Sequence, residues 1–107
     1  MSKFDDFLQE VRSGVLDIAR GEAAEFLKEA RDDGQKFVDA FRADLEAWTQ
    51  QLAAGQLSIA DFEFLVRGKK DLAKMAALTQ AGLAAIRIDR IRTASIDLII
   101  KAAGRFV

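Results

Sequence analysis

The sequence from residue 15 to residue 47 reads VLDIARGEAAE (15–25), FLKEARDDGQK (26–36) and FVDAFRADLEA (37–47). In this stretch and on either side of it, a large apolar residue recurs every eleven positions, and a second apolar residue follows four positions later. The two sets are Phe4, Val15, Phe26, Phe37 and Trp48, and Leu8, Ala19, Ala30, Phe41 and Leu52. Eleven residues in three turns, about 3.67 per turn, keep both sets on one face of a straight α-helix. The repeat therefore predicts one helix from about residue 3 to about residue 53, roughly 75 Å long.

A turn is predicted at residues 54–58. Gly55 suits the left-handed conformation that ends many helices, and Ser58 with Asp61 three residues later is a near match to a capping box. Within the first helix, Gly34 follows two aspartates and is the weakest point, where a break is most expected. A second helix is predicted from about residue 59 to about residue 104, with a kink near Gly68.

The second predicted helix changes character after Leu83. Its charged residues crowd one narrow face, whereas its apolar residues spread over more than half of the circumference. One partner helix covers one seam, so the wide apolar face needs further cover. The expected fold is therefore all-α, a single domain formed by a long antiparallel helical hairpin that self-association completes as a four-helix bundle or larger assembly, with a dimer favoured. The predicted oligomer interface is Leu83, Ile88, Ile91, Ile96, Leu98, Ile99 and Phe106.

The distribution of charge also favours an antiparallel hairpin. Residues 1–66 carry seven Lys/Arg and fourteen Asp/Glu, whereas residues 67–107 carry nine Lys/Arg and three Asp. With the turn centred near residue 56, the predicted pairs are Glu46 with Arg67, Asp44 with Lys69, Asp39 with Lys74, and Glu22 with Arg90 and Arg92. The predicted hairpin core is Phe4, Val15, Phe26, Phe37, Phe41, Trp48, Phe62 and Leu65.

Three charged clusters are candidate sites, and each has a simpler interpretation as a solvated or paired surface. They are the carboxylate run Glu22, Glu25, Glu29, Asp32 and Asp33, the basic cluster Arg67, Lys69, Lys70 and Lys74, and the basic stripe Arg87, Arg90, Lys101 and Arg105. The carboxylate run lacks the histidines that accompany glutamates in helical-bundle metal sites. The basic cluster lacks a glycine-rich phosphate loop. The basic stripe lies opposite the wide apolar face, as in a helix that lies on a membrane surface.

Composition restricts the chemistry further. The sequence has no cysteine and no histidine, which removes thiolate nucleophiles and the usual general base near neutral pH. No catalytic residue, cofactor, metal or small-molecule substrate is expected. The sequence predicts a non-enzymatic structural or interaction protein that self-associates and, since its acidic N-terminus lacks the pattern of a secretory signal, a cytoplasmic location. Two alternatives remain open. One is a peripheral membrane or lipid-surface protein that uses the amphipathic C-terminal helix. The other is a binder of an anionic partner through the basic second half, with nucleic acid as an unexpected partner.

Overall fold

The computed structural model of the chain describes residues 3–70 and 74–106, apart from the side chain of Phe106. Those residues form helices and no strand, so the all-α prediction is confirmed. The elements are α1 (Lys3–Glu22), a 3₁₀ turn (Ala24–Phe26), α2 (Leu27–Ala53), α3 (Ile59–Gly68), α4 (Ala76–Ala81) and α5 (Ala85–Phe106). The longest dimension is 43 Å, well short of the roughly 75 Å expected for one straight helix over residues 3–53.

The first predicted helix is broken in the middle, and the break is not at Gly34. Ala23 and Phe26 leave helical geometry, with φ of −130° at both residues and ψ of 47° and 54°. The chain reverses direction there, and Arg12 of α1 lies 3.7 Å from Asp39 of α2. Helix α2 continues through Gly34. The glycine lets α1 pack closely against α2, since a Cβ at this position would lie 3.3 Å from a leucine side chain of α1.

The second predicted helix is also broken, before and after α4. Helix α3 ends at Gly68, the position of the predicted kink, and α4 ends at Gly82, which has a φ of 97°. The N–H of Leu83 donates to the carbonyl of Leu78 at 3.1 Å, and the N–H of Gly82 donates to the carbonyl of Thr79 at 3.2 Å. This is a Schellman motif, and its positive φ is a conformation that glycine adopts without a steric cost.

The turn between α2 and α3 is as predicted. Gly55 has a φ of 76°, and the N–H of Gln56 donates to the carbonyl of Gln51 at 2.9 Å. The Ser58 hydroxyl accepts from the N–H of Asp61 at 3.0 Å, and the Asp61 carboxylate accepts from the N–H of Ser58 at 3.4 Å. These two bonds form the capping box that starts α3.

Helix α1 lies between α2 and α5 and is antiparallel to both. Glu22 at its C-terminal end lies 3.8 Å from Arg90, near the start of α5. Glu10, about two turns past its start, is hydrogen-bonded to Arg105 at the end of α5. The pair Glu22–Arg90 is one that the sequence predicted. No helix in the described part of the chain is long and apolar enough to cross a bilayer.

Helix α3 packs on α5, again in antiparallel fashion. Arg67 lies 3.0 Å from Asp97, and Lys70 lies 3.2 Å from Asp89, nearer the start of α5. Helices α1, α2, α3 and α5 therefore alternate in direction, and one chain forms a four-helix bundle. The predicted extended hairpin is wrong in shape. Each of its two long helices is divided into shorter helices, and these pack on each other.

The eleven-residue repeat supplies the core of this bundle. Every member of the second repeat set is buried, on α1 as well as on α2. These residues are Leu8, Ala19, Ala30, Phe41 and Leu52. The stripe thus faces inward on two antiparallel helices, where it packs against itself and against α5.

Candidate interaction surface

Most of the predicted oligomer interface lies inside the single-chain core. Helix α5 is covered by α1 on one side and by α3 on another, so the exposed apolar face expected on this helix is filled by the chain itself. Leu98 is half-buried, and a Cβ at Gly14 of α1 would overlap its side chain. The side chain of Phe106 lies outside the described residues. The buried members are Leu83, Ile88, Ile91, Ile96 and Ile99.

The residues predicted for the hairpin core lie in the bundle core or at its edge. Val15, Phe37, Phe41 and Phe62 are buried. Around them, Phe4, Phe26 and Trp48 are partly buried and pack against the core, and Leu65 is half-buried. The ring centroids of Phe37 and Phe41 are 5.1 Å apart, within the usual range of aromatic contacts.

The basic stripe of α5 lies along the contact between α5 and the acidic helix α1. Arg87 lies 2.7 Å from the Glu25 carboxylate and also donates to the carbonyl of Glu22, where α1 ends. The hydrogen bond from Arg87 holds the pKa of Glu25 below its ordinary value. Because Arg90 and Arg105 pair with α1 in the same way, this stripe is largely turned toward the protein's own carboxylates.

The basic cluster at the end of α3 is paired as well. Lys69 lies 3.8 Å from Asp44, as predicted. Arg67 does not pair with Glu46; it lies 3.0 Å from Glu63 and 3.0 Å from Asp97, and hydrogen bonds to these two carboxylates raise its pKa.

The predicted pair Asp39–Lys74 is replaced by Asp39–Arg12. The carboxylate run is divided by the break at residues 23–26, and Glu22 and Glu25 pair with arginines of α5. In residues 3–70 and 74–106, no group of three or more carboxylates is placed to hold a metal ion.

Asp33 does not lie on a solvated acidic face. It is buried in the core, where its side chain caps α4. Its side chain is 3% exposed, and its two oxygens accept from the N–H groups of Ala77 and Leu78 at 3.1 and 2.7 Å. Met75, the residue before α4, is buried and has a left-handed backbone conformation with a φ of 51°. A signal for this role was present in the sequence, because Asp33 lies three residues after Ala30 and four before Phe37, on the apolar stripe.

Phe64 is the most exposed large apolar side chain in the part of the chain that the structure describes, at 78%. The others are Ile86 at 65%, Leu27 at 51% and Ile59 at 45%. Phe64 lies about 200° around α3 from Phe62, which is buried, because a helix turns about 100° per residue. Phe64 does not stand out in the sequence, because it lies off the three-residue apolar spacing of Ile59, Phe62 and Leu65.

The surroundings of Phe64 define a small surface, which we call the α3 outer face: Ala60, Phe64 and Gly68 with the flanking pair Glu63–Arg67. Ala60 and Gly68 lie four residues before and after Phe64, about 40° to either side of it. A Cβ at Gly68 would meet nothing within 4 Å. Glu63 and Arg67 lie along one flank and are joined by an ion pair of 3.0 Å. The ring of Phe64 thus lies between two small residues, beside the ion pair of one glutamate and one arginine.

Comparison of the chain with protein-family models, with curated proteins and with solved structures finds no match.

Proposed function

We propose that the protein is a non-enzymatic structural or interaction protein that self-associates through the α3 outer face. The observation that supports this proposal is the exposure of Phe64 on a helix whose opposite face is already packed. A single exposed apolar residue is common on protein surfaces. Phe64 differs because Ala60 and Gly68 leave room on both sides for a second backbone to approach.

The size of the surface predicts weak association. Burying a phenylalanine side chain contributes about 1.5–3 kcal/mol, so two copies of Phe64 contribute about 3–6 kcal/mol. The loss of translational and rotational freedom costs at least about 4 kcal/mol. A ten-residue helix also offers much less than the roughly 800 Å² per partner of a standard interface. The net contribution of the two rings is therefore at most about 2 kcal/mol, and the dissociation constant is expected in the millimolar range or above.

The two other functions are less well supported by this geometry. A lipid surface or an anionic partner would need the basic stripe of α5 to be available. Arg87, Arg90 and Arg105 instead pair with carboxylates of the first half of the chain.

The test is sedimentation equilibrium from about 10 µM to about 5 mM, because a dimer this weak becomes populated only toward the upper end of that range. The mass of the wild type should rise with concentration above the 11.8 kDa of one chain. Phe64→Ala should remain at that mass. Ile86→Ala, which truncates another well-exposed apolar side chain, is the matched control and should behave as the wild type does.

A wild-type mass of one chain throughout this range would refute self-association. Equal loss of association in both variants would refute the assignment of the surface to α3. Flotation with anionic vesicles tests the lipid alternative directly, and binding that depends on Phe64 in a protein that stays monomeric would favour that alternative.

A further inference from the structure

We infer that the partner at the α3 outer face is a second copy of this chain, packed antiparallel about a two-fold axis beside Phe64. The two Phe64 rings meet at this axis, and the Glu63–Arg67 pairs of the two copies interleave along one edge of the contact. The inference rests on the proposed function and adds the orientation and register of the contact.

The order of residues along α3 is suited to such a two-fold contact. In an antiparallel pair centred on Phe64, a residue some steps before Phe64 in one copy lies level with the residue the same number of steps after it in the other. Ala60 of one copy is then level with Gly68 of the other, at both ends of the contact. Small residues at these positions let the helices close around the two rings, which favour offset or edge-to-face contact.

The charges distinguish the antiparallel from the parallel arrangement. Around the helix, Glu63 and Arg67 lie on one side of Phe64, and Asp61 and Leu65 lie on the other. An antiparallel two-fold axis sets like flanks together, so Glu63 of each copy lies about 3 Å along the axis from Arg67 of the other and also about 3 Å from Glu63 of the other. A parallel two-fold axis sets opposite flanks together and brings Glu63 of each copy next to Asp61 of the other. The antiparallel arrangement thus has two attractive Glu63–Arg67 approaches for one Glu63–Glu63 approach, whereas the parallel one has two repulsive Glu63–Asp61 approaches, so the antiparallel arrangement is favoured.

Cysteine cross-linking tests the orientation, because the sequence has no cysteine of its own. Ala60→Cys and Gly68→Cys both place a thiol on exposed surface. A mixture of the two variants should give a mixed disulfide dimer under mild oxidation. Each variant alone should give little dimer, because residues 60 of the two copies are about 12 Å apart along the axis. A disulfide needs Cα atoms about 4.4–6.8 Å apart.

The outcomes separate the orientation from the function. Dimers from Ala60→Cys alone, formed as fast as in the mixture, would overturn the antiparallel arrangement and leave self-association intact. No cross-linked dimer in the mixture, with a wild type that sediments above one chain, would do the same. A wild type that remains monomeric by sedimentation overturns both proposals.

Charge reversal tests the register independently. Arg67→Glu leaves two carboxylates on the flank of each copy, and Glu63→Arg leaves two guanidinium groups. Each variant alone should associate at least about tenfold more weakly than the wild type at low salt, whereas an equimolar mixture should recover association. Circular dichroism of each variant confirms that it is folded, since Arg67 also pairs with Asp97. Recovery that does not occur in the mixture of folded variants would overturn the predicted contact between these flanks.

Discussion

Replacing Asp33 by alanine should destabilise the bundle more than any change at its charged surface. Asp33 is 3% exposed, and its carboxylate is the acceptor for the N–H groups of the second and third residues of α4, at 3.1 Å for Ala77 and 2.7 Å for Leu78. The variant leaves both amide groups without this partner. It also leaves a void at the contact between α2 and α4.

Two contributions set the size of the effect, and the first of them, the loss of the cap, can be estimated in two ways. Hydrogen bonds to a charged group contribute about 1.5–3 kcal/mol each. Loss of a helix cap alone costs about 1 kcal/mol and at most about 2 kcal/mol. An opposing contribution comes from Met75, since a non-glycine residue in the left-handed region stores about 1–3 kcal/mol, which unwinding of α4 would release. The expected net loss is about 2–4 kcal/mol, which lowers the melting temperature by at least about 8 °C in a domain of this size.

Urea denaturation followed by circular dichroism measures this loss. Asp32→Ala is the matched control, because it removes the same charge from an exposed neighbouring position on the same helix. Asp33→Asn should fall between the two, since an amide keeps one acceptor oxygen and turns its NH₂ group toward the other N–H. Equal denaturation midpoints for Asp33→Ala and Asp32→Ala would refute the assignment of Asp33 as the cap of α4.

Two further predictions concern the contacts of α5 with α1 and with the 3₁₀ turn that follows α1. Gly14→Ala should lower the free energy of unfolding by about 1–3 kcal/mol, because the new methyl group would overlap a leucine of α5. A methyl group at Gly21 would meet no other atom, so Gly21→Ala should instead raise the free energy of unfolding by about 0.5–1 kcal/mol in the same urea assay. Equal effects of the two substitutions would contradict the close packing of α1 on α5. The lowered pKa of Glu25 predicts that its pairing with Arg87 stabilises the fold above the ordinary pKa of 4.5, and that this contribution disappears as the pH falls through the lowered pKa. Urea midpoints measured across this pH range should therefore fall less steeply with acid in Arg87→Gln than in the wild type, and parallel curves would show that the pair does not contribute.

Much of the helical pattern could be predicted from the sequence, because the apolar stripe, the turn and the neighbouring charges are local signals. Gly55 and the capping box at Ser58 mark the turn where the structure has it. The pairs Asp44–Lys69 and Glu22–Arg90 both follow from the predicted hairpin register. The folded chain keeps that register. Residues that face each other across a hairpin still face each other when both of its helices are interrupted at matching positions.

The break in the first predicted helix could not be placed from the sequence, because the eleven-residue repeat carries no information about direction. A stripe that stays on one face of a long helix also stays inside when the helix is cut into two antiparallel pieces. The break occurs at Ala23 and Phe26, neither of which is a residue that normally ends a helix. Gly34, which has weak helix propensity, lies instead where side chains of α1 pack closely against α2, and tertiary packing decides its conformation.

A comparison of costs explains why the chain covers α5 with its own helices and not with a second copy. Breaking the first helix removes a few backbone hydrogen bonds, each worth about 0.5–1.5 kcal/mol, and some of these groups find partners in the 3₁₀ turn and in Arg87. Covering α5 with a second chain instead costs at least about 4 kcal/mol in lost translational and rotational freedom. The intramolecular solution also holds at every protein concentration.

That solution determines which surface is left for a partner. Once α1 and α3 cover α5, the apolar residues at three- and four-residue spacing are used up in the core, and a residue off that spacing remains outside. Phe64 is such a residue, because Phe62 and Val66 on either side of it already anchor α3. Self-association is therefore expected to be weak and to be separable from folding, since Phe64 contributes to the contact between copies but not to the core of either one.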